Sequence, residues 1–429
     1  MVLILVLIFT MAMMHMAGTE IDFAARDMNN MVAFYLARSG AAALADWIEN
    51  NDSNTVRDLF WVEGGRGTDW FNLETGFPGE IKVHAEVILN EDEHRVEVTS
   101  EGRIYGRTDT VKVILVPEGL SRERVFDIPF FAKESITMES NSLVVGDLGT
   151  NASKLSDFDI DYSAEVVDGD LQVGPEATDG VINSLESKKV VKDGVVKRLP
   201  EERNYPLPLF PRFPDDLPDR EFNSSLTTID KDGWYDEIKL TGNRELVIDV
   251  GDDARKIRIT SLIINSGEIT IIGDGTLELY IDEEFQVLGN GSFINKGGDP
   301  NKVVVYYRGN EDLNLHGQRQ IVGSLYTYYA DIALGGSGSI LGHIVSGGDY
   351  ITFNGNYYNE YTKDFVRIIY APLATLDLRS RHDGLSGAVV CNRLILGDDF
   401  SLNEFFIQEA LLPFDFVGGT PYIIDHWEQ

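Results

Sequence analysis

GSLYTYYADIALGGSGSILGHIVSGGDYITF (residues 323–353) and RIIYAPLATLDLRSRHDGLSGAVVCNRLILG (residues 367–397) read as two copies of one pattern. Laid on each other, Tyr326 matches Tyr370, Leu334 matches Leu378, Gly342 matches Gly387 and Ile351 matches Leu396, at an offset of 44 or 45 residues. That period corresponds to two turns of a β-helix at roughly 20 to 25 residues per turn. The surrounding chain has the same texture. Short apolar triplets, as in ITSLIINSGEITIIGDGTLELYIDEEFQVLGNGSF (259–293), alternate with Gly, Asn, Asp and Ser, with no helical pattern between them. One turn of such a chain exposes an apolar inner face that it cannot bury alone. Stacked turns make a continuous core, and Gly and Asn at the corners supply the left-handed backbone that tight bends require. Residues 126–412 are therefore expected to form a large parallel β-solenoid.

Working outward, LPEERNYPLPLFPRFPDDLP (199–218) carries six prolines and cannot be interior strand. It reads as an ordered excursion or clamp along the solenoid, or as a linker between two β units. Its Tyr205, Leu209, Phe210 and Phe213 imply packing against something. Upstream, residues 51–80 have a mixed, loop-like character. Residues 81–116 then alternate apolar and polar with a turn at Asn90-Glu91-Asp92, which reads as an antiparallel meander. The expected class is mostly β (α+β): a long N-terminal helix over 1–50, a small antiparallel sheet over 51–125, the solenoid, and a C-terminal tail over 413–429.

The N-terminal stretch MVLILVLIFTMAMMHMAG (1–18) has no charge, and a helix of that length rises about 27 Å, close to the hydrocarbon thickness of a bilayer. No basic residue precedes it, as a secretory signal would require; the first is Arg26. Beyond it, Ile21, Ala25, Met28, Val32, Tyr35 and Leu36 recur at helical spacing, with Ala43 and Trp47 further on. Polar residues fill the positions between, and no proline occurs before Pro78. One helix over residues 1–49 would be about 74 Å long. A greasy helix continuing into an amphipathic shaft can rest in lipid before assembly and then pack against copies of itself, its backbone satisfied in both settings. The stretch Ser39-Gly40-Ala41-Ala42-Ala43 provides small residues where another backbone can approach closely.

On these residues the chain resembles type IV pilin-like proteins of the PilX N-terminal class. The block Ala33-Phe34-Tyr35-Leu36-Ala37-Arg38-Ser39-Gly40 fits that family's A-[FY]-x-x-[AR]-x-[SAG]-G pattern. The stretch VTSEGRIYGRTDTVKVILV (98–116) is similar to the same segment there. Gly323-Ser324-Leu325-Tyr326 and Ile369-Tyr370-Ala371-Pro372 resemble the β-helical domain that often follows. The resemblance implies a structural, non-enzymatic subunit of an extracellular, cell-surface filament, membrane-inserted through its N-terminal helix before assembly. Its implied partners are copies of itself or other pilins, the cytoplasmic membrane and the type IV pilus assembly machinery. Because family members lose a short leader, Met1 is expected to be the mature N-terminus. The expected polymerisation residues are Met1, Leu3, Leu5, Leu7, Phe9, Met13, Met16, Ile21, Met28, Val32 and Tyr35. Leu5 stands where typical major pilins carry Glu, and Gly18-Thr19 where many carry a helix-kinking proline.

Two other function classes are open to the same sequence. A membrane-anchored surface adhesin would present the solenoid to a polysaccharide or a cell. A carbohydrate-active enzyme would need clustered carboxylates with a basic partner, for which Asp398 and Asp399 with Arg379, Arg381, His382 and Asp383 are the candidates. Solvated corners are the stronger reading of these residues, and no HExxH, GxSxG or Walker pattern occurs. No cofactor is expected apart from calcium at the alternating Asp157, Asp159 and Asp161. The formal charge of −34 makes nucleic acid a poor partner. The single cysteine, Cys391, precludes an intrachain disulfide and reads as a buried structural thiol.

Overall fold

In the computed structural model, the described residues are 2–51, 53–60, 65–72, 78–89, 94–117, 126–223, 225–289, 291–354, 367–379, 384–404 and 422–428. The chain divides into two units, Met1–Gly119 with Val417–Gln429, and Leu120–Phe416. The second unit is thus inserted in the chain between two strands of the first.

In the first unit α1 (Val2–Glu49) is one unbroken helix. Below it lies an antiparallel sheet. β1 (Arg66–Gly67) and β2 (Phe71–Asn72) both pair with β3 (Glu80–Leu89), followed by β4 (His94–Ile104) and β5 (Arg107–Pro117). The period-two pattern buries Ile81, Val83, Ala85 and Val87 of β3 and Val96 and Val98 of β4 on one face. The segment expected to be a C-terminal tail contributes a further strand instead. Tyr422–Glu428 pairs antiparallel with β5, and Tyr422 is buried in this core. Alternation in Tyr-Ile-Ile-Asp-His-Trp is too short a signal to announce a strand whose partner lies some 300 residues earlier. A short helix, α2 (Ser53–Phe60), also stands where a loop was expected; its Val56 is buried, and Phe60 meets Trp47 edge-on at 6.0 Å.

The second unit is a parallel β-solenoid of about 11 turns. Its interior is stacked in register. Leu313, Ile332, Ile351, Leu376, Leu394, Ile136 and Phe158 lie one above another on neighbouring strands, all buried. Burying each such side chain stabilises the fold by about 1.5–3 kcal/mol. The repeat seen in the sequence is real at two turns: Tyr326 stacks on Val345 and then Tyr370, and Leu334 on Phe353 and then Leu378. Ile351, however, leads to Leu376 and then Leu394, two residues short of the expected Leu396. Turn length is uneven, so a constant offset drifts.

The order of turns differs from the order of the chain. The first strand, β6 (Phe130–Met138), pairs with one of the last, Gly384–Leu396, so the chain starts partway along the stack. It winds outward through strands at 148–150, 171–173 and 196–198. After residues 199–218 it resumes at Asp219–Arg220, which among the described residues pairs with Gly233–Thr241 alone, at the other end of the stack. From there it winds back, turn by turn, to meet its own beginning. A helix also interrupts the strands, contrary to expectation: α3 (Asp179–Ser187) buries Val181 and Leu185 in the solenoid core beside the last turn. At the opposite end, Phe222 and Leu226 pack on the core, and the Arg244 guanidinium lies 4.7 Å from the Phe222 ring centre. Both ends carry apolar side chains over the core, the usual protection of open strand edges against end-to-end pairing.

Residues 199–218 form the clamp, not the linker. A column of outward-pointing side chains runs in register through Tyr280, Tyr306, Tyr326, Val345, Tyr370, Val390 and Phe131. The proline-rich strap lies along this column. Tyr205 packs on Phe131 at 4.7 Å, Phe210 on Tyr326 at 4.9 Å and Phe213 on Tyr280 at 5.0 Å. Prolines have no N–H to satisfy, and their carbonyls serve as acceptors. The Tyr370 hydroxyl donates to Pro206 O at 2.6 Å, and the Tyr326 hydroxyl donates to Pro208 O. Burial pushes the Tyr280, Tyr306 and Tyr370 hydroxyls above the ordinary tyrosine range. In the unfolded chain these groups ionise near pH 10, while the fold keeps them protonated. Stability is therefore intact below pH 10 and falls above it, by about 1.4 kcal/mol per pH unit for each tyrosine. Urea midpoints measured from pH 8 to 11.5 are expected to drop steeply above 10; a flat profile would show that the strap does not shield these hydroxyls.

Cys391 is fully buried, its Sγ 3.7 Å from Phe131 O, and burial holds its thiol above the ordinary range.

Candidate functional site

The feature that organises the first unit is an alanine row on α1. Ala33, Ala37, Ala41 and Ala45, four residues apart, are fully buried against the sheet. Close approach is enforced from both sides. A Cβ at Gly102 of β4 would collide with the Ala33 carbonyl and the Ala37 amide, and one at Gly40 would meet Ser100 and Ile81. The small residues at 39–43 thus receive the unit's own strand β4. The C-terminal strand is tied to the same helix: Ile424 N–H donates to Glu49 Oε1 at 3.1 Å, and Arg38 lies 5.4 Å from the Trp427 ring centre.

At 100° per residue, Met28, Met31 and Tyr35 point roughly half a turn away from that row. They are 67%, 56% and 57% exposed, and Phe23 is 63% exposed. Described side chains of α1 before Ala33 are exposed or half-buried throughout. The apolar stripe read from the sequence is therefore divided: Leu36 and Val32 pack on the sheet core, whereas Met28 and Tyr35 face solvent. Of the expected polymerisation residues, Met28 and Tyr35 are solvent-facing and Val32 is half-buried. The side chains of Met1, Leu3, Leu5, Leu7, Phe9, Met13, Met16 and Ile21 lie outside those described. Among the described residues no helix is long and apolar enough to cross a membrane. Beside the alanine row is an apolar groove of about 470 Å³, lined among others by Leu44, Trp47, Phe60, Phe71 and Ile81. Among the described residues its lining holds no carboxylate, histidine or cysteine.

In the solenoid the sequence-derived acid candidates do not come together. Asp399 sits in a corner with φ 59° and accepts from Asn141 Nδ2 at 3.1 Å, and Asp398 is exposed beside it. Arg379 lies 3.3 Å from Asp377 and 3.5 Å from Glu139. Arg381, His382 and Asp383 lie outside the described residues. Among the described residues no group of three or more His, Cys, Asp or Glu is placed to hold a metal. Asp157 ends a 3-10 turn and accepts from Lys154 N–H at 3.3 Å, while Asp161 accepts from the Ser163 N–H and hydroxyl. Their oxygens satisfy local turns instead of converging with Asp159. Two carboxylates that the sequence reading missed, Asp377 and Glu404, are pushed above the ordinary carboxylate range by burial. Asp377 neighbours Ile395 and Thr352, whereas Glu404 neighbours Gly387, so they occupy separate places on the solenoid.

A model of a domain of unknown function, DUF7305, matches residues 176–361, within the solenoid. No match was found among curated proteins. Among solved structures, the chain is similar to the competence-associated pilin ComZ from Thermus thermophilus, at 14% identity over 93% of this chain and 97% of that chain, with a TM-score of 0.20.

Proposed function

We propose that this chain is a non-catalytic structural subunit of an extracellular filament of the type IV pilin kind, of the PilX class. It polymerises through α1, with copies of itself or other pilins as neighbours, and displays the solenoid outside. In this reading the greasy start of α1 rests in the membrane before the pilus assembly machinery draws it into the filament. The observation that carries the reading is the pair of apolar stripes on opposite sides of α1. The alanine row is consumed by the unit's own sheet, while Met28, Met31 and Tyr35 remain uncovered. Exposed large apolar side chains in one row mark a surface made for a partner. A net charge of −34 keeps copies apart unless a contact of this kind overrides the repulsion.

Sheared surface filaments from the producing cells are expected to contain peptides of this chain and to show one helical repeat in electron microscopy. The double substitution Met28→Glu and Tyr35→Glu, on exposed positions, is expected to leave the circular dichroism spectrum unchanged and the unfolding free energy within about 0.5 kcal/mol of the parent and to abolish filaments. Filaments that lack the chain, or normal assembly by the double variant, would reject the proposal.

A further inference from the structure

On the solenoid, a polar cleft of about 620 Å³ opens across several turns and the start of the strap. Lys133 and Glu134 come from β6, and Arg393 from the strand paired with it. Lys154 comes from the corner after 148–150, Glu176 follows the strand at 171–173, and Glu202 opens the strap. Arg393 pairs with Glu134 at 2.9 Å. Lys133, Lys154, Glu176 and Glu202 make no ion pair among the described residues, which leaves two ammonium groups and two carboxylates facing one space.

The rim is held in place. Asn151 Nδ2 donates to Arg203 O at 2.8 Å, and Arg203 N–H donates to Asn151 Oδ1 at 2.9 Å, which fixes the backbone beside Glu202. Arg203 is in turn bound by Asp127, Nη2 to Oδ2 at 2.8 Å. The corner carrying Lys154 is braced by Asp157 and by the Ser153 hydroxyl donating to Asn151 O at 3.3 Å. A rim ordered in advance loses little freedom on binding.

We propose that this cleft binds a short stretch of neutral, hydroxyl-rich glycan. A volume of this size holds a small ligand, since such sites span about 300–1,000 Å³. Among the described residues the lining carries no large aromatic or aliphatic side chain, so an apolar ligand gains little there. Three cations and four carboxylates, counting the paired Arg393 and Glu134 and the bracing Asp157, nearly cancel, so a charged ligand finds no field of one sign. The −34 of the whole chain further repels polyanions. Sugar hydroxyls both donate and accept, and this lining presents both charged acceptors and charged donors. The inference is independent of the filament reading, because binding is measured on the dispersed full-length chain.

The test is calorimetric titration of the full-length protein with maltohexaose, cellohexaose, N-acetylated chitohexaose and hexagalacturonate. At least one neutral oligomer is expected to bind, and hexagalacturonate is not. The variant Lys133→Ala with Lys154→Ala, and separately Glu176→Gln with Glu202→Gln, are each expected to weaken that binding at least tenfold with an unchanged melting temperature. Absence of binding by every neutral oligomer at millimolar concentration, tighter binding of hexagalacturonate, or full affinity in both folded variants would overturn the proposal.

Discussion

Replacing Asp282 by alanine is expected to lower the stability of the solenoid by about 3–5 kcal/mol, the usual consequence of stranding a buried partner charge. Asp282 and Arg258 are both more than nine-tenths buried. Asp282 Oδ2 accepts from Arg258 Nε at 2.8 Å, and Arg308 also pairs with Asp282. Arg258 Nη1 reaches across to the strap, donating to Pro214 O at 3.1 Å and Asp215 Oδ1 at 2.6 Å, while its guanidinium lies 4.1 Å from the Trp234 ring centre. The network therefore fastens the far end of the strap where it re-enters the stack at Asp219. Removing Asp282 leaves two guanidinium groups short of a counter-charge next to Phe213, so the strap should loosen before the turns separate. The checks are a urea midpoint and limited trypsin digestion, with new cleavage at Arg212 in the variant. An unchanged midpoint and an unchanged digest would show that Asp282 does not hold the strap.

The second large effect is expected at Gly102. A leucine there drives its side chain into the backbone of α1 between Ala33 and Ala37, which has no rotamer to give. Overpacking typically costs about 1–3 kcal/mol, and a clash with helical backbone belongs at or beyond the top of that range. Gly102→Ala should already destabilise, by a smaller amount. Trp47, Trp61, Trp70 and Trp427 belong to the first unit and Trp234 to the second, so tryptophan fluorescence in urea reports mainly on the unit in question. The leucine variant should unfold the first unit at a much lower urea concentration while the solenoid's strand signal persists. A fluorescence midpoint equal to that of the parent would mean that the helix can lift from β4 at no cost.

The two predictions bear on different parts of what the sequence reveals. Gly102 lies in a stretch whose alternation announced β4 correctly, yet nothing local says that its missing Cβ faces a helix more than 60 residues earlier. Asp282 and Arg258 sit in strands that also carry clear period-two patterns. Their polar side chains at outward positions look like solvated residues until the strap is laid over them. The same applies to Tyr280, Tyr306, Tyr326 and Tyr370, which alternate with inward aliphatics and would be exposed in a bare solenoid. The prolines of 199–218 marked that segment as something other than a strand, and its aromatics marked it as packed. What it packs on depends on pairing between β6 and a strand some 250 residues later.

The candidate surfaces divide in the same way. The stripe Met28, Val32, Tyr35 was readable because helical periodicity is local. That the alanine row and Val32 are taken up by the protein's own sheet, leaving Met28 and Tyr35 open, follows only from the packing of β3 to β5 and the C-terminal strand. The cleft at Lys133, Lys154, Glu176 and Glu202 had no signal in the sequence at all. Its members are single charged residues on different turns, and charges at corners are ordinary.

By itself, the sequence determined the long helix, the antiparallel meander, the stacked parallel turns and the exceptional character of residues 199–218. Each is written in a periodicity of two, of about 3.6, or of one solenoid turn, and periodicity survives without knowledge of partners. The tertiary structure alone decided the order of the turns, the covering of the tyrosine column, the strand at 422–428 and the side of α1 left uncovered. Those depend on contacts between residues far apart in the chain, where the free energy of burial selects one pairing among many that local pattern permits equally.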